Sequence, residues 1–129
     1  MTLKNFELCR KKKKELLLKD LCARLPYGVQ YKDAHGYKMR INIWSPEFHT
    51  ALNTILYDKK PSLYLRPMSS MTEEEKKEYD VFCCKPYLGI DETTASNFID
   101  WLNKKHFDYR GLIEKSLALE APGGMYVIK

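Results

Sequence analysis

Long apolar runs are missing from this sequence. No stretch approaches the roughly eighteen consecutive apolar residues that a membrane-crossing helix needs. The N-terminal residues, MTLKNFELCRKKKK, place their charge after the apolar positions, and no apolar segment with a small-residue cleavage site follows them, as it would in a secretory signal. We therefore predict a cytoplasmic protein that makes no use of a membrane.

The sequence also lacks a disulfide framework. Its four cysteines do not have the even spacing of a secreted, disulfide-bonded domain. Cys83 and Cys84 adjoin each other, but neither a second close cysteine pair nor a nearby histidine completes a zinc site. Together with Cys9 and Cys22 they are predicted to be reduced thiols. Cys83 and Cys84 are expected to pack as small buried side chains, and no metal is expected.

Signatures of catalysis are missing as well. The sequence contains no Walker loop, no GxGxxG, HExxH or GxSxG motif, and no calcium-binding loop. Asp100, Asp108 and Arg110 flank His106, and an acid, base and thiol set can be drawn from these residues with Cys83 or Cys84. Such a set requires a proximity in space that sequence spacing does not indicate. The simpler interpretation makes Asp108 a helix cap and places His106 at a helix end. We predict a protein that is not an enzyme and carries no cofactor.

The composition is that of one folded domain. The chain has 129 residues, of which 44% are apolar and 30% are charged, as is typical of soluble globular proteins. A chain of this length buries roughly two thirds of the surface that it exposes when unfolded, which is enough for a single core. No internal repeat or low-complexity linker divides it.

Positive charge is concentrated at the N-terminal end. Residues 1–25 carry eight Lys or Arg and three acids, which accounts for the whole formal net charge of +5. Apolar residues recur there at helical spacing from Thr2 to Leu25, and Pro26 with Gly28 ends the predicted helix. Five consecutive basic residues interrupt its apolar face: Arg10, Lys11, Lys12, Lys13 and Lys14. They indicate either a solvated helix face or a surface for the phosphates of nucleic acid, to which binding would weaken steeply with salt.

A β-hairpin is predicted after this helix. Apolar residues alternate with polar ones on both sides of a loop at residues 33–36, at Tyr27, Val29 and Tyr31 and then at Tyr37, Met39, Ile41 and Ile43. The apolar set forms the predicted inner face. The polar set, with Lys38, Arg40 and Asn42, is expected to face solvent or a partner, so Lys38 and Arg40 are candidate binding residues.

The middle of the chain carries signals for both helix and strand. Residues 45–47, Ser-Pro-Glu, have the character of a helix start, and the apolar spacing as far as Tyr57 fits a helix at every position. The β-branched and aromatic residues of the same stretch also suit a strand, so both interpretations stay open for residues 46–57. A short extended segment is predicted at Leu63–Arg66, because the residue before Pro67 is disfavoured in a helix.

A capping box predicts the next helix. It consists either of Ser70 with Glu73 or of Thr72 with Glu75, and the helix ends near Cys84. The glutamates at its start are explained by the helix dipole, which favours negative charge in the first turn. They therefore need no catalytic interpretation.

A pair of helices centred on Trp101 is predicted towards the C-terminus. Thr93 or Thr94 caps the first, which runs to about His106. Asp108 caps the second, in which a hydrophobic staple would pack Phe107 on Leu112. After Ser116 the pattern is ambiguous between helix and strand at residues 117–121. If residues 117–121 form a strand, the turn at 122–124 and the run at 125–128 would complete a closing hairpin.

Two blocks of the sequence, YLRPMSSMTEEEKKEYD at Tyr64–Asp80 and IDWLNKKHFDYRGLIEKSLALEAP at Ile99–Pro122, resemble a family of small uncharacterised proteins from Bacteroides-type gut bacteria and their phages and prophages. The stretch CARLPYG, Cys22–Gly28, is similar too. The two blocks cover about a third of the chain. Family signatures without a catalytic role transfer no functional residue. The resemblance implies a β-rich middle and a cytoplasmic protein encoded by a mobile element.

These observations predict a single α+β domain over residues 1–129, with a small antiparallel sheet packed with N-terminal and C-terminal helices. In the setting that the resemblance implies, small proteins without catalytic motifs bind host proteins, sometimes to block a defence system, or assist nucleic-acid transactions. We predict an accessory protein that binds a protein partner in the host cell. The alternatives are nonspecific nucleic-acid binding through the basic helix and, third, a thiol or acid-base enzyme built on His106.

Overall fold

The computed structural model describes residues 3–57, 60–84 and 92–126. In chain order these residues form α1 (Leu3–Arg24), β1 (Gln30–Lys32), β2 (Lys38–Arg40), α2 (Phe48–Tyr57), β3 (Tyr64–Leu65), α3 (Glu73–Cys84), α4 (Glu92–Lys104) and β4 (Leu119–Glu120). Short 3-10 turns follow α1 at Leu25–Tyr27 and β3 at Met68–Ser70. The predicted α+β fold is confirmed. None of the helices in these residues is both long enough and apolar enough to cross a membrane.

Helix α1 confirms the N-terminal helix and its end. Leu17 and Leu21, one turn apart, are buried in the core. After the helix Gly28 has a φ of 68°, in the left-handed region that glycine adopts without a steric penalty. The stop predicted at Pro26 and Gly28 is therefore confirmed.

The predicted hairpin is present, but the predicted inner face of its second strand is wrong. β1 and β2 pair antiparallel with Tyr31 opposite Met39. Of the apolar residues assigned to the core from the second strand, only Ile41 is buried, whereas Tyr37, Met39 and Ile43 are exposed. The reason is position: β1 is bonded on its far side to the segment that leads into β3, while β2 lies at the outer edge.

Helix α2 resolves the ambiguity at residues 46–57. Its inner face buries Ala51 and Ile55, and Leu52 and Leu56 pack against the same core. The helical interpretation is confirmed, and the β-rich middle implied by the resemblance does not extend over this segment. The apolar spacing prevailed over β-propensity because four apolar side chains at this spacing lie on one face of a helix.

The ambiguity at residues 117–121 is resolved in favour of a short strand, β4 at Leu119–Glu120, but the closing hairpin is not formed by residues 122–126. β4 pairs parallel with β3, with Tyr64 opposite Leu119. Residues 123–126 form a turn, in which the Tyr126 hydroxyl donates a hydrogen bond of 2.9 Å to the Tyr64 carbonyl oxygen. That contact holds the end of the described chain across β3. Residues 127 and 128, the rest of the predicted hairpin, lie outside the described residues.

The predicted second helix of the C-terminal pair is wrong. Residues 108–118 run through successive turns, with left-handed φ values of 72° at Gly111 and 60° at Ser116 that no helix accommodates. Asp108 nevertheless acts as a cap, because its carboxylate accepts hydrogen bonds from the backbone N–H groups of Leu112 at 2.8 Å and Ile113 at 2.9 Å. Leu112 then enters the common core instead of a helix pair.

Helix α3 begins as predicted, and α4 begins earlier than predicted. Of the two capping boxes considered, Thr72 with Glu75 forms: the Thr72 Oγ1 accepts from the Glu75 N–H at 3.2 Å, and the Glu75 carboxylate accepts from the Thr72 N–H at 2.9 Å. Helix α4 starts at Glu92, so Thr93 and Thr94 lie inside it and not at its cap.

Aromatic rings join α3 to α4. Phe82 lies between Phe98, at 5.1 Å between ring centroids, and Trp101, at 5.8 Å. Trp101 in turn contacts the buried Phe107 at 5.6 Å. Trp101 is therefore central to the packing, as predicted, although its partner is another helix and not the segment after Asp108.

Cys22 on α1 is a free cysteine and is exposed. Its neighbour Leu21 occupies the buried face of the helix, so Cys22 points away from the core. The side chains of Cys9, Cys83 and Cys84 lie outside the described residues.

Candidate binding surfaces and the buried charges beneath them

The candidate binding residues of α1 form a basic surface beside an apolar groove. All five residues from Arg10 to Lys14 are exposed. Arg10, Lys13 and Lys14 also line a groove of about 420 Å³ with the apolar side chains of α1 and α2, to which Lys60 contributes a further cation. The Lys14 ammonium lies 4.9 Å from the centroid of the Tyr57 ring, and Tyr57 is largely exposed. We call the surface formed by Arg10–Lys14, Lys60 and Tyr57 the basic groove.

The other two candidates, Lys38 and Arg40, do not join the basic groove. Both lie on β2, and Arg40 lines a separate cavity. Its guanidinium packs against the backbone of Gly28: a Cβ atom added there would lie 2.8 Å from Arg40 Nε. The structure therefore divides the predicted binding residues between two surfaces.

The second surface, which we call the hairpin edge, consists of residues 37–44. Four large apolar side chains are exposed there: Tyr37 at 68%, Met39 at 39%, Ile43 at 45% and Trp44 at 87%. The other exposed large apolar residues in the described part of the chain lie singly, one on each helix: Leu18, Tyr57, Val81 and Ile99. The hairpin edge thus concentrates four exposed apolar side chains within eight residues, whereas exposed apolar residues that lie singly need no explanation.

The backbone of the hairpin edge is open on its outer side. The N–H groups of Gln30 and Lys32 in β1 donate away from β2, to the Tyr126 hydroxyl at 2.7 Å and to the Ser62 carbonyl at 2.8 Å. Gln30 and Lys32 therefore belong to the non-hydrogen-bonded pairs of this ladder, because hydrogen-bonded and non-hydrogen-bonded pairs alternate along two antiparallel strands. Their partners in these pairs are Arg40 and Lys38, so the backbone N–H and C=O groups of Lys38 and Arg40 point outward from β2.

Sequence reasoning missed the apolar part of the hairpin edge. It assigned Tyr37, Met39 and Ile43 to the core, and it did not single out Trp44. Alternation indicates the two faces of a strand, but not whether anything packs on either face. The available signal was Trp44 itself, a large apolar residue directly before the turn at Ser45 and Pro46.

A cavity of about 650 Å³ opens behind the hairpin edge, between the turn after α1, the end of β2 and the end of α4. His106 lines it and is only 4% exposed, with its ring stacked on Tyr126 at 4.0 Å between centroids. Burial and the positive charges of Arg24 and Arg40 lower the pKa of His106 to about 4. The imidazole is therefore neutral at pH 7, and its Nδ1 has no hydrogen-bond partner within the described residues.

The catalytic set considered around His106 is not assembled among the side chains that the structure describes. The described residues that line the cavity include no carboxylate and no thiol. The Asp108 carboxylate is turned to the backbone of Leu112 and Ile113. His106 lies just beyond the end of α4, as predicted, with a φ of 63°.

A fully buried ion pair, Asp20 with Arg24 on α1, was also missed. Asp20 Oδ2 accepts from Arg24 Nε at 2.8 Å, and Asp20 Oδ1 accepts from Arg110 Nη1 at 2.7 Å. Arg24 also donates to the Phe107 carbonyl oxygen, so it joins α1 to the C-terminal segment. The Asp20 and Arg24 spacing of four residues on a helix was the available signal.

The described residues contain no group of three or more His, Cys, Asp or Glu side chains that could hold a metal ion. Comparison of the chain with models of protein families, with curated proteins and with solved structures found no match in any of the three.

Proposed function

We propose that this protein acts by binding another protein, in the host cell that the resemblance implies, and that the hairpin edge is its contact surface. The observation that carries the proposal is the grouping of Tyr37, Met39, Ile43 and Trp44 on or close to β2, whose outer edge pairs with no other strand of the described residues. Tryptophan, tyrosine and arginine are enriched among the residues that contribute most to protein–protein binding. All three types occur between residues 37 and 44.

The edge also indicates the chemistry of the partner. Residues 29–44 carry Lys32, Lys38 and Arg40 against the single acid Asp33, so the surface favours an acidic partner. The outward backbone groups of Lys38 and Arg40 favour a partner that adds an extended strand to β2. We therefore propose an acidic, extended segment with apolar side chains that cover Trp44 and Met39.

Trp44→Ala is expected to weaken the complex by about 2 kcal/mol or more, roughly thirtyfold in Kd, because an indole that is 87% exposed in the free protein is buried on binding. The measurement is capture of the partner from host lysate by the full chain, followed by titration of the purified partner. Lys38→Glu with Arg40→Glu is expected to weaken binding through charge repulsion and to slow association.

The matched control is Val81→Ala, which removes an exposed apolar side chain of α3, remote in sequence from the hairpin edge. It is expected to leave the Kd unchanged. Equal binding by wild type, the Trp44 variant and the charge-reversal variant would contradict the proposal.

A second candidate function, nucleic-acid binding, is favoured by the basic groove. Lys14 lies over the exposed ring of Tyr57, so cations for phosphates and a ring for base stacking lie side by side. Helix α1 presents five exposed cations in a row from Arg10 to Lys14. This combination suits a single-stranded nucleic acid bound without sequence preference.

Replacing Lys11, Lys12, Lys13 and Lys14 by glutamine is expected to reduce oligonucleotide binding and to lower the slope of log K against log salt by about one for each phosphate that is no longer neutralised. The measurement is fluorescence anisotropy with a labelled single strand at several salt concentrations. Lys76→Gln with Lys77→Gln, two exposed lysines of α3, is the control and is expected to keep the slope. Absence of binding by wild type at low salt would eliminate this function.

A further inference from the structure

The cavity beside His106 has an unbalanced charge. Among the described residues, its lining contains two basic side chains, Arg40 and Lys104, and no Asp or Glu. Neither cation forms an ion pair within the described part of the chain. A volume of about 650 Å³ falls in the range of roughly 300–1,000 Å³ that is typical of small-molecule sites. The cavity is therefore the size of a ligand site and attracts anions.

Arg40 is held at this cavity by the local fold. Gly28 has a φ of 68° and no side chain, and the Arg40 guanidinium occupies the space that a Cβ atom would need. The left-handed backbone and the close approach each require glycine at this position. The guanidinium thus lies against the Gly28 backbone while it lines the cavity, and it has no acidic partner among the described residues.

The walls supply flat aromatic surface and an unused hydrogen-bonding atom. Trp44 lines the cavity with an almost fully exposed indole, and Tyr27 lines it from the turn after α1. His106 is neutral and buried, and its Nδ1 has no hydrogen-bond partner among the described residues. A buried polar atom of this kind is normally satisfied, so its lack of a partner needs an explanation. A bound ligand would provide one.

We propose that this cavity binds a small anion that carries both a phosphate and a planar ring, of the chemical class of the nucleoside monophosphates. Arg40 and Lys104 bind the phosphate, since charge-assisted hydrogen bonds to phosphate are the strong ones. The ring stacks on Trp44. The residue that decides the test of this site is Lys104. It is not part of the proposed protein contact, because it lies at the end of α4 and outside the hairpin edge.

The test titrates the full chain with three probes in parallel by calorimetry: adenosine monophosphate, inorganic phosphate and adenosine. The monophosphate is expected to bind at least about tenfold more tightly than either fragment, because stacking and charge-assisted hydrogen bonding each contribute that much. Lys104→Gln is expected to weaken monophosphate binding about tenfold and to leave adenosine binding unchanged. Trp44→Phe should retain binding, and Trp44→Ala should lose the advantage over phosphate.

The matched control is Lys38→Gln, which removes an exposed cation of the same strand as Arg40 that does not line the cavity. It is expected to change monophosphate affinity less than twofold. The proposal is overturned if the monophosphate does not bind, if phosphate alone binds as tightly, if adenosine alone binds as tightly, or if Lys38→Gln weakens binding as much as Lys104→Gln. The shift of the His106 ring resonances on titration is a separate readout, and unchanged resonances in a saturated sample would also contradict it.

Discussion

Asp20→Ala is expected to lower the free energy of unfolding by about 3–5 kcal/mol, the cost typical of removing one partner from a buried ion pair. Asp20 and Arg24 are completely buried, and Asp20 is the acceptor for both Arg24 and Arg110. Without its carboxylate the Arg24 guanidinium stays buried with its charge uncompensated. Its Nη1 already has no hydrogen-bond partner within the described residues. Urea denaturation followed by circular dichroism measures the loss.

Two further variants separate charge burial from loss of packing. Glu73→Gln breaks the exposed ion pair with Lys76 and is expected to cost less than about 1 kcal/mol. Adding Arg24→Met to Asp20→Ala removes the uncompensated charge and is expected to restore part of the stability, because an apolar replacement needs no counter-charge. A loss below about 1 kcal/mol for Asp20→Ala alone would show that the buried pair does not hold α1 to the C-terminal segment.

Acidification is expected to destabilise the fold through His106. Burial and the charges of Arg24 and Arg40 lower the pKa of His106 to about 4 from its usual 6.5, so the folded state binds fewer protons than the unfolded state between these values. The free energy of unfolding therefore falls as the pH falls from about 6.5 to about 4, by up to about 3 kcal/mol for such a shift. Stability measured at half-unit pH intervals gives the curve.

His106→Asn tests whether His106 causes this pH dependence, because asparagine tolerates the left-handed φ of 63° and does not titrate. It is expected to remove the pH dependence between about 6.5 and 4.5. His35→Asn, in the exposed hairpin loop, is the control and should leave the curve unchanged. A curve that His106→Asn does not alter would contradict the assignment.

Glu75 is expected to add a second stage, at lower pH, to the loss of stability on acidification. Burial raises the pKa of its carboxyl, but the hydrogen bonds from Arg66 and Thr72 outweigh burial and lower the pKa to about 2 from 4.5. The stabilisation by the ionised Glu75 is therefore complete above about pH 4.5 and is lost as the pH falls towards 2. The two windows overlap only slightly, so His106→Asn should leave the lower stage in place.

Local patterns predicted the helices better than they predicted the connections between them. Apolar spacing and capping residues act within one element. They predicted α1 and α3, and they fitted a helix at α2, where the β-branched and aromatic residues left a strand open. The parallel pairing of β3 with β4 depends on contacts between residues more than fifty positions apart, such as Tyr64 with Leu119. The second C-terminal helix was predicted wrongly. Asp108 does cap the backbone N–H groups that follow it, but Gly111 and Ser116 adopt left-handed backbone conformations, so no helix continues beyond the cap.

The candidate sites also differ in how far the sequence alone could predict them. Exposure of Arg10–Lys14 follows from composition alone, since consecutive cations cannot all face a core. The hairpin edge, the cavity beside His106 and the buried Asp20–Arg24 pair depend on which strand is outermost and on where the C-terminal segment returns. These features are set by packing across the whole chain, and alternation or net charge does not determine them.

Hydrogen exchange of single backbone amides, measured by NMR with and without the captured partner, tests the proposed contact most directly. If the partner adds a strand to β2, the outward N–H groups of Lys38 and Arg40 become hydrogen-bonded, and their exchange is expected to slow at least about tenfold. Unchanged exchange at both amides in a saturated complex, with protection found on another surface such as the basic groove, would contradict binding through the hairpin edge.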